Sequence, residues 1–213
     1  MNDTQYMRPI TAEERWKSVT DISRLDHSFS DSDNQGEAYR ICLAYARQFP
    51  AMLEEHIGIR LHGEVGTGKT FYASCIGSYI RQMGYQVAWI DFRSFIDEMA
   101  DYRERNADYI GRIMTSQVLI IDDLDTRKLN SMEQSCMFRL INARQSYVNI
   151  ITTNMTPSAV SNGETVDMDE KRALSRIQAM CPVAIVLNGK DRRKDVATER
   201  RKLAQEIMQG GMD

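Results

Sequence analysis

Residues 63–70 read Gly-Glu-Val-Gly-Thr-Gly-Lys-Thr, and few folds can accommodate a stretch with that spacing. Glycines at 63, 66 and 68 let the backbone curl until successive N–H groups face one centre, which makes a cradle for a phosphate. The pattern G-x-x-x-x-G-K-[ST] is a phosphate-binding loop, and its context is the end of a β-strand running into the start of a helix. Both flanks comply. Ile57–Leu61 is an alternating, β-rich stretch, and after the loop Tyr72, Cys75, Ile76, Tyr79, Ile80 and Met83 recur at three- and four-residue spacing. Gly84 supplies the helix stop. In such a loop Lys69 reaches the β- and γ-phosphates and the Thr70 hydroxyl ligates Mg²⁺. Gly63, Gly66, Thr67, Gly68 and Phe71 are the remaining candidate nucleotide contacts.

The rest of the chain keeps an α/β rhythm. Further strands are predicted at Gln86–Asp91, Gln117–Asp122, Val148–Thr153 and Val183–Leu187, with helical patterns between them. That alternation predicts a parallel five-stranded sheet covered on both faces. One helix is expected over 37–55, where Tyr39, Cys42, Leu43, Ala46 and Phe49 share a face, and a short one at Ala12–Val19. Ser131 with Gln134 has capping-box spacing, Thr156 precedes Pro157 as an N-cap would, and a helix near Asp169–Met180 must stop before Pro182. The domain reading is an extension at 1–36, a nucleotide-binding core at 37–193, and a C-terminal helix and tail at 194–213.

Composition removes several alternatives. The chain has 213 residues and a formal net charge of −3, so any nucleic-acid contact must come from a local patch. Cys42, Cys75, Cys136 and Cys181 lie far apart in apolar patterns, and His27, His56 and His62 complete no zinc spacing. The polar stretch Asn2–Lys17 is not a signal peptide, and the longest apolar runs are strand-sized. A cytoplasmic protein without a membrane segment is expected.

Val118-Leu119-Ile120-Ile121-Asp122-Asp123 is an apolar strand ending in two carboxylates, the Walker-B pattern. Placed beside the phosphate-loop strand, it aims Asp122 at Mg²⁺, mostly through water, and leaves Asp123 to polarise an attacking water. Thr152-Thr153-Asn154 ends the next strand, where the Asn154 amide can sense the γ-phosphate and the water.

Taken together, these motifs resemble the AAA+ ATPases, and within them the DnaC/DnaI helicase-loader group to which IstB transposition ATPases also belong. The similarity runs from about Leu25 to Arg193. The implied fold is a P-loop NTPase three-layer α/β/α sandwich whose C-terminal lid is reduced to one short helix, here Val196–Met208. Leu25-Asp26-His27-Ser28-Phe29 resembles the group's lead-in near the adenine, which makes Phe29 a candidate base contact. Lys171-Arg172-Ala173-Leu174-Ser175-Arg176-Ile177 resembles its arginine-finger helix, with Arg176 at the finger position and Arg172 as the alternative. Such a finger reaches a neighbouring subunit's γ-phosphate and supplies ~10³–10⁵ in rate where measured. Gly189-Lys190-Asp191-Arg192-Arg193 resembles a Gly-x-Ser-Tyr-Arg ending, so Arg193, or else Arg192, matches the second sensor.

The resemblance implies an ATP- and Mg²⁺-dependent switch that self-associates through its ATP site and loads a replicative DNA helicase onto single-stranded DNA. Asp123 stands where many relatives carry Glu, which suits slow hydrolysis. Only about sixty residues precede the loop, leaving no segment to assign to helicase binding. The insert Phe92–Ser116 mixes arginines with Phe92, Phe95, Tyr102 and Tyr109, a composition suited to single strands, although five acids nearly cancel its charge. Lys190–Lys202 is the stronger basic patch. Three other functions compete with the loader reading: an IstB-like transposition helper acting on duplex DNA, a phosphate-loop kinase for a small molecule, and a non-hydrolysing scaffold.

Overall fold

The computed structural model describes residues 22–100, 104–125, 129–155, 168–189, 191, 198, 200–205 and 207–208. Five short, mostly apolar segments pair into one sheet: β1 (Ile59–His62), β2 (Val87–Asp91), β3 (Val118–Asp122), β4 (Val148–Thr153) and β5 (Val183–Val186). Every pairing is parallel and the strand order is β2-β3-β4-β1-β5. Parallel neighbours need crossovers, and helices supply them. These are α1 (Glu37–Arg47), α2 (Phe49–Glu54), α3 (Lys69–Gln82), α4 (Phe92–Ala100), α5 (Glu104–Thr115), α6 (Ser131–Ala143) and α7 (Met168–Met180).

Along β3 the side chains divide between two cores. Val118 and Ile120 join Phe49, Tyr45, Ile76 and Trp89 on one face of the sheet, while Leu119 and Ile121 join Phe95, Ile113, Leu140 and Ile177 on the other. The expected three-layer α/β/α sandwich with a parallel five-stranded sheet is what forms. Burial on both faces explains why β3 reads as an unbroken apolar run.

Three local expectations are corrected. The helix expected over 37–55 is two, because Pro50 lacks an N–H and its ring collides with the preceding turn; Gln48 therefore ends α1 and α2 starts with Pro50 in its first turn. The capping box of α6 lies one residue earlier than expected. Asn130 accepts from Met132 and Glu133 backbone N–H groups, and the Glu133 carboxylate accepts from the Asn130 N–H. Asn is as good an N-cap as Ser, so spacing alone misplaced it. Finally, β3 is not beside the phosphate-loop strand: β4 lies between them, paired to β1 on one side and β3 on the other. The expected Ala12–Val19 helix and the Thr156–Pro157 cap lie outside the described residues.

A fully buried arginine ties the second face together. Arg144, just past α6, donates to the carbonyls of Ile113, Met114, Ser116 and Val148 and to the Asn149 side chain. Burial pulls its pKa down to about 9, so it keeps its charge at neutral pH. Burial also pushes the Cys42, Cys75 and Cys181 thiols up to about 12, which removes them as nucleophiles.

Candidate functional site: a phosphate loop facing a polar strand tip

The loop between β1 and α3 takes left-handed backbone angles at Gly66 (φ 80°) and Gly68 (φ 97°), the latter capping α3. Substitution at Gly66 would fail twice over, since an added Cβ would also stand 1.8 Å from an Asp191 carboxylate oxygen. Lys69, 5% exposed, folds back and donates to the carbonyls of Gly63 at 2.8 Å and Glu64 at 2.7 Å. The Thr67 hydroxyl donates to the Glu64 carbonyl. The lysine thus holds the loop in its curled form, with its cation at the cradle.

Thr70, in the first turn of α3, donates to Asp122 Oδ1 at 3.0 Å. The same oxygen accepts from the Thr152 hydroxyl at 2.6 Å. Asp122 is 2% exposed, and burial pushes its carboxyl above the usual carboxylate range, against the pull of the Thr152 and Thr70 hydroxyls and of Arg24. Arg24 meets the second oxygen, Oδ2, at 3.4 Å. Thr152 is the hub of this cluster. Its Oγ1 also accepts from the Asp123 N–H at 2.8 Å, and its carbonyl accepts from the Leu124 N–H at 2.9 Å. Because β4 intervenes between β1 and β3, the threonine on β4 bridges what direct neighbours would have done alone.

Asp123 adopts φ 53° and is exposed. Aspartate tolerates that left-handed angle better than most residues, and the turn sends consecutive carboxylates in opposite directions, Asp122 inward and Asp123 out. Asn154 lies at the tip of β4, and its buried Oδ1 has no partner among the described residues. A buried amide oxygen left unpaired is costly, and this one is free for an incoming donor. His62, the last residue of β1, is also buried. Its Nδ1–H donates to the Met155 carbonyl at 2.7 Å, joining the strand that feeds the loop to the chain just after Asn154. Burial drives its pKa down, so the ring is neutral at pH 7.

On the other flank of the loop, next to β5, is a cleft of about 720 Å³ whose lining includes Tyr39, Ile41, Thr67, Tyr72, Val186 and Asn188. Phe29, expected to contact the base, is absent from that lining. It is 8% exposed and packs edge-on against Tyr39 and Tyr79, so it backs the wall instead of facing it. Phe71 packs against His27 and Tyr72. Arg176 is exposed on α7 and donates to Asn142 Oδ1 of α6 at 2.6 Å, and Arg172 is exposed on the same helix. Arg192 and Arg193 lie outside the described residues. Within the insert, Phe92 and Phe95 are buried in the second core and unavailable for stacking on bases, and Arg93 pairs with Glu133 at 2.9 Å. Tyr102 lies outside the described residues.

The sequence reading gave no role of their own to Thr152, Arg24 and Asp191 and did not foresee the Tyr39–Tyr72 cleft. Thr152 did leave a trace, because hydroxyls inside a strand buried along its whole length must find partners. The others depend on chain segments meeting across long sequence separations and leave no periodic signal.

The donor set suits a magnesium nucleotide: a hydroxyl and a buried carboxylate already in contact, beside a lysine at a glycine cradle. Fold and site together define a P-loop nucleotide-binding protein of the AAA+ type. The chain belongs to the IstB-like ATP binding protein family, whose description matches residues 16–194. A putative ATP-binding protein of insertion sequence IS21 from Pseudomonas aeruginosa is 27% identical over 106 residues, 49% of this chain and 40% of that protein. This chain thus matches less than half the length of that curated relative. Among solved structures, DnaI superposes with a TM-score of 0.64 at 19% identity, covering 80% of this chain and 93% of DnaI. The DnaC helicase loader superposes with 0.61 at 21% identity, covering 82% and 99%. Those likenesses establish the fold. Among the described residues, no helix is long and apolar enough to cross a membrane.

Proposed function

We propose that this chain is an ATP-hydrolysing switch that delivers a DNA-acting protein to DNA, and that its client is a replicative helicase loaded onto single strands. The observation that carries the ATPase reading is the Thr70–Asp122–Thr152 cluster, which joins the helix after the phosphate loop to two strand tips. Lys69 and the N–H groups of Gly66, Thr67 and Gly68 would hold the triphosphate, with the base in the cleft by Tyr39 and Tyr72. Thr70 and Asp122 would hold Mg²⁺, which would neutralise charge on the β- and γ-phosphate oxygens. Asp123, facing outward, would orient the attacking water. Asn154 would use its unpaired amide oxygen on that same water, and Arg193 would complete the site within the protomer. Arg176, exposed on α7, is free to swing from Asn142 into a neighbour's site.

The helicase-loading form draws support from the near-complete coverage of the DnaI and DnaC cores. A second reading, delivery of a transposase to duplex DNA, draws support from the IS21 relative. The test measures particle mass and ATP turnover with no DNA, single-stranded DNA and duplex DNA, for wild type, Arg176→Ala and Asp123→Asn. Single strands should drive assembly and turnover of the wild type. Arg176→Ala should bind ATP normally and turn it over at least about a hundredfold more slowly. Stimulation by duplex alone supports the transposition reading. A monomeric wild type whose turnover matches Arg176→Ala overturns the shared site, and turnover unchanged in Asp123→Asn overturns that residue's role.

A further inference from the structure

Asp122 is an anion buried among apolar strands, and such a group requires a counter-charge. Its Oδ1 is committed to the Thr70 and Thr152 hydroxyls. The cation at its other oxygen is Arg24, which arrives from 98 residues away in sequence. Arg24 does not belong to the sheet or to the loop. It ends a short 3₁₀ turn, Ile22–Arg24, and its backbone is pinned against α3 because the Ser74 hydroxyl donates to the Arg24 carbonyl. The next residue, Leu25, is buried in the first core, close enough to α3 that a Cβ added at Gly77 would sit 2.8 Å from it. The segment is thus anchored at these two points, with the Arg24 side chain adding a third, and that side chain, 43% exposed, has solvent to move into.

A divalent ion held by Thr70 and Asp122 would approach the carboxylate from its Oδ1 side, whereas Arg24 meets Oδ2 at 3.4 Å. The ion would neutralise the anion that attracts Arg24 and place a double positive charge within a few ångströms of the guanidinium. Attraction then turns to repulsion, and the arginine is released into solvent. We propose that Arg24 is a stand-in cation at Asp122, expelled when the metal–nucleotide complex binds, so that the segment carrying it reports the loading state of the site. The proposal rests on the nucleotide-site reading above and adds a competing group to it. The consequence is twofold. Metal binding is weaker than the bare Thr70–Asp122 pair would give, and the backbone around residues 23–28 loses a tether when the site fills.

The test uses the full chain and a fluorescent ADP analogue titrated with Mg²⁺, for wild type, Arg24→Gln and Arg24→Lys, together with hydrogen exchange at the amides of residues 23–28. Arg24→Gln should lower the Mg²⁺ midpoint about fivefold, the size expected for one partly exposed charge contact. Arg24→Lys, which keeps a cation on a shorter reach, should fall between, and it carries the test if the glutamine variant melts early. In wild type, Mg²⁺ with nucleotide should speed exchange at 23–28. In Arg24→Gln those amides should exchange fast without metal. A midpoint that stays put or rises in Arg24→Gln overturns the proposal, as does exchange indifferent to Mg²⁺. A wild type that binds no nucleotide sinks the site reading and this proposal together, whereas Mg²⁺-dependent binding with an unmoved midpoint sinks this proposal alone.

Discussion

Replacing Thr152 with valine keeps the shape of the side chain and removes a hydroxyl, which makes it the sharpest probe of the site. Two hydrogen bonds disappear, the 2.6 Å donation to Asp122 and the 2.8 Å acceptance from the Asp123 N–H. The first is charge-assisted and contributes about 1.5–3 kcal/mol, the second about 0.5–1.5 kcal/mol. The backbone bond from Leu124 to the Thr152 carbonyl survives, so the strand tip does not unravel. A loss of roughly 2–4 kcal/mol in a chain of this size corresponds to a fall in Tm of about 5–15 °C. The effect also has a pH signature. Burial already raises the Asp122 pKa and the Thr152 hydroxyl opposes that rise, so valine raises it further. A carboxyl whose folded pKa lies above its unfolded value costs stability once pH exceeds the folded pKa, and that cost fades as pH falls through it. The deficit of Thr152→Val is therefore greatest at neutral pH and shrinks in acid, where Asp122 is protonated in both proteins. Thermal unfolding by circular dichroism across pH measures this, with Thr152→Ser as the control that keeps the hydroxyl. A valine variant within about 1 °C of wild type at neutral pH, or indistinguishable from serine, would refute the hub assignment.

Two further outcomes are expected. His62 has a folded pKa below its ordinary 6.5 because it is buried, so the unfolded chain takes up the proton first. Stability should hold above about pH 6.5 and decline below it, and His62→Gln should flatten that decline in unfolding curves; parallel slopes would count against it. Asp191 places a carboxylate against Gly66, where the loop is built to receive an anion. Asp191→Ser should bind ATP about threefold to tenfold more tightly, roughly 1 kcal/mol, and the gain should shrink in high salt. Unchanged affinity in a fluorescent-nucleotide titration would show that this acid does not oppose the phosphates.

Much of the fold was legible because its signals are local. The glycines of 63–70 can serve that backbone only between a strand and a helix, and apolar runs such as β3 and β4, buried on both faces, announce parallel strands whatever their order. Lys69, Thr70 and Asp122 could be singled out for the same reason: position within a loop or at a strand end brings them to one place. Strand order is different. It is set by which crossovers pack on which face, and no residue of β3 or β4 declares that β4 will insert next to β1. That insertion makes Thr152 the bridge to Asp122. Phe29 shows the same limit in reverse, since an aromatic lining a cleft and an aromatic one layer behind it read alike until Tyr39 is found in front.

Spacing along the chain alone dictated the phosphate cradle, the paired carboxylates and the α/β class, because those features depend on neighbours within a few residues. Only the packed molecule decided which group pairs with Asp122, which residues line the cleft beside the loop and which aromatics are spent on the core. Each of these depends on segments that meet across tens of residues, brought together by burial and by the need to compensate a charge removed from water.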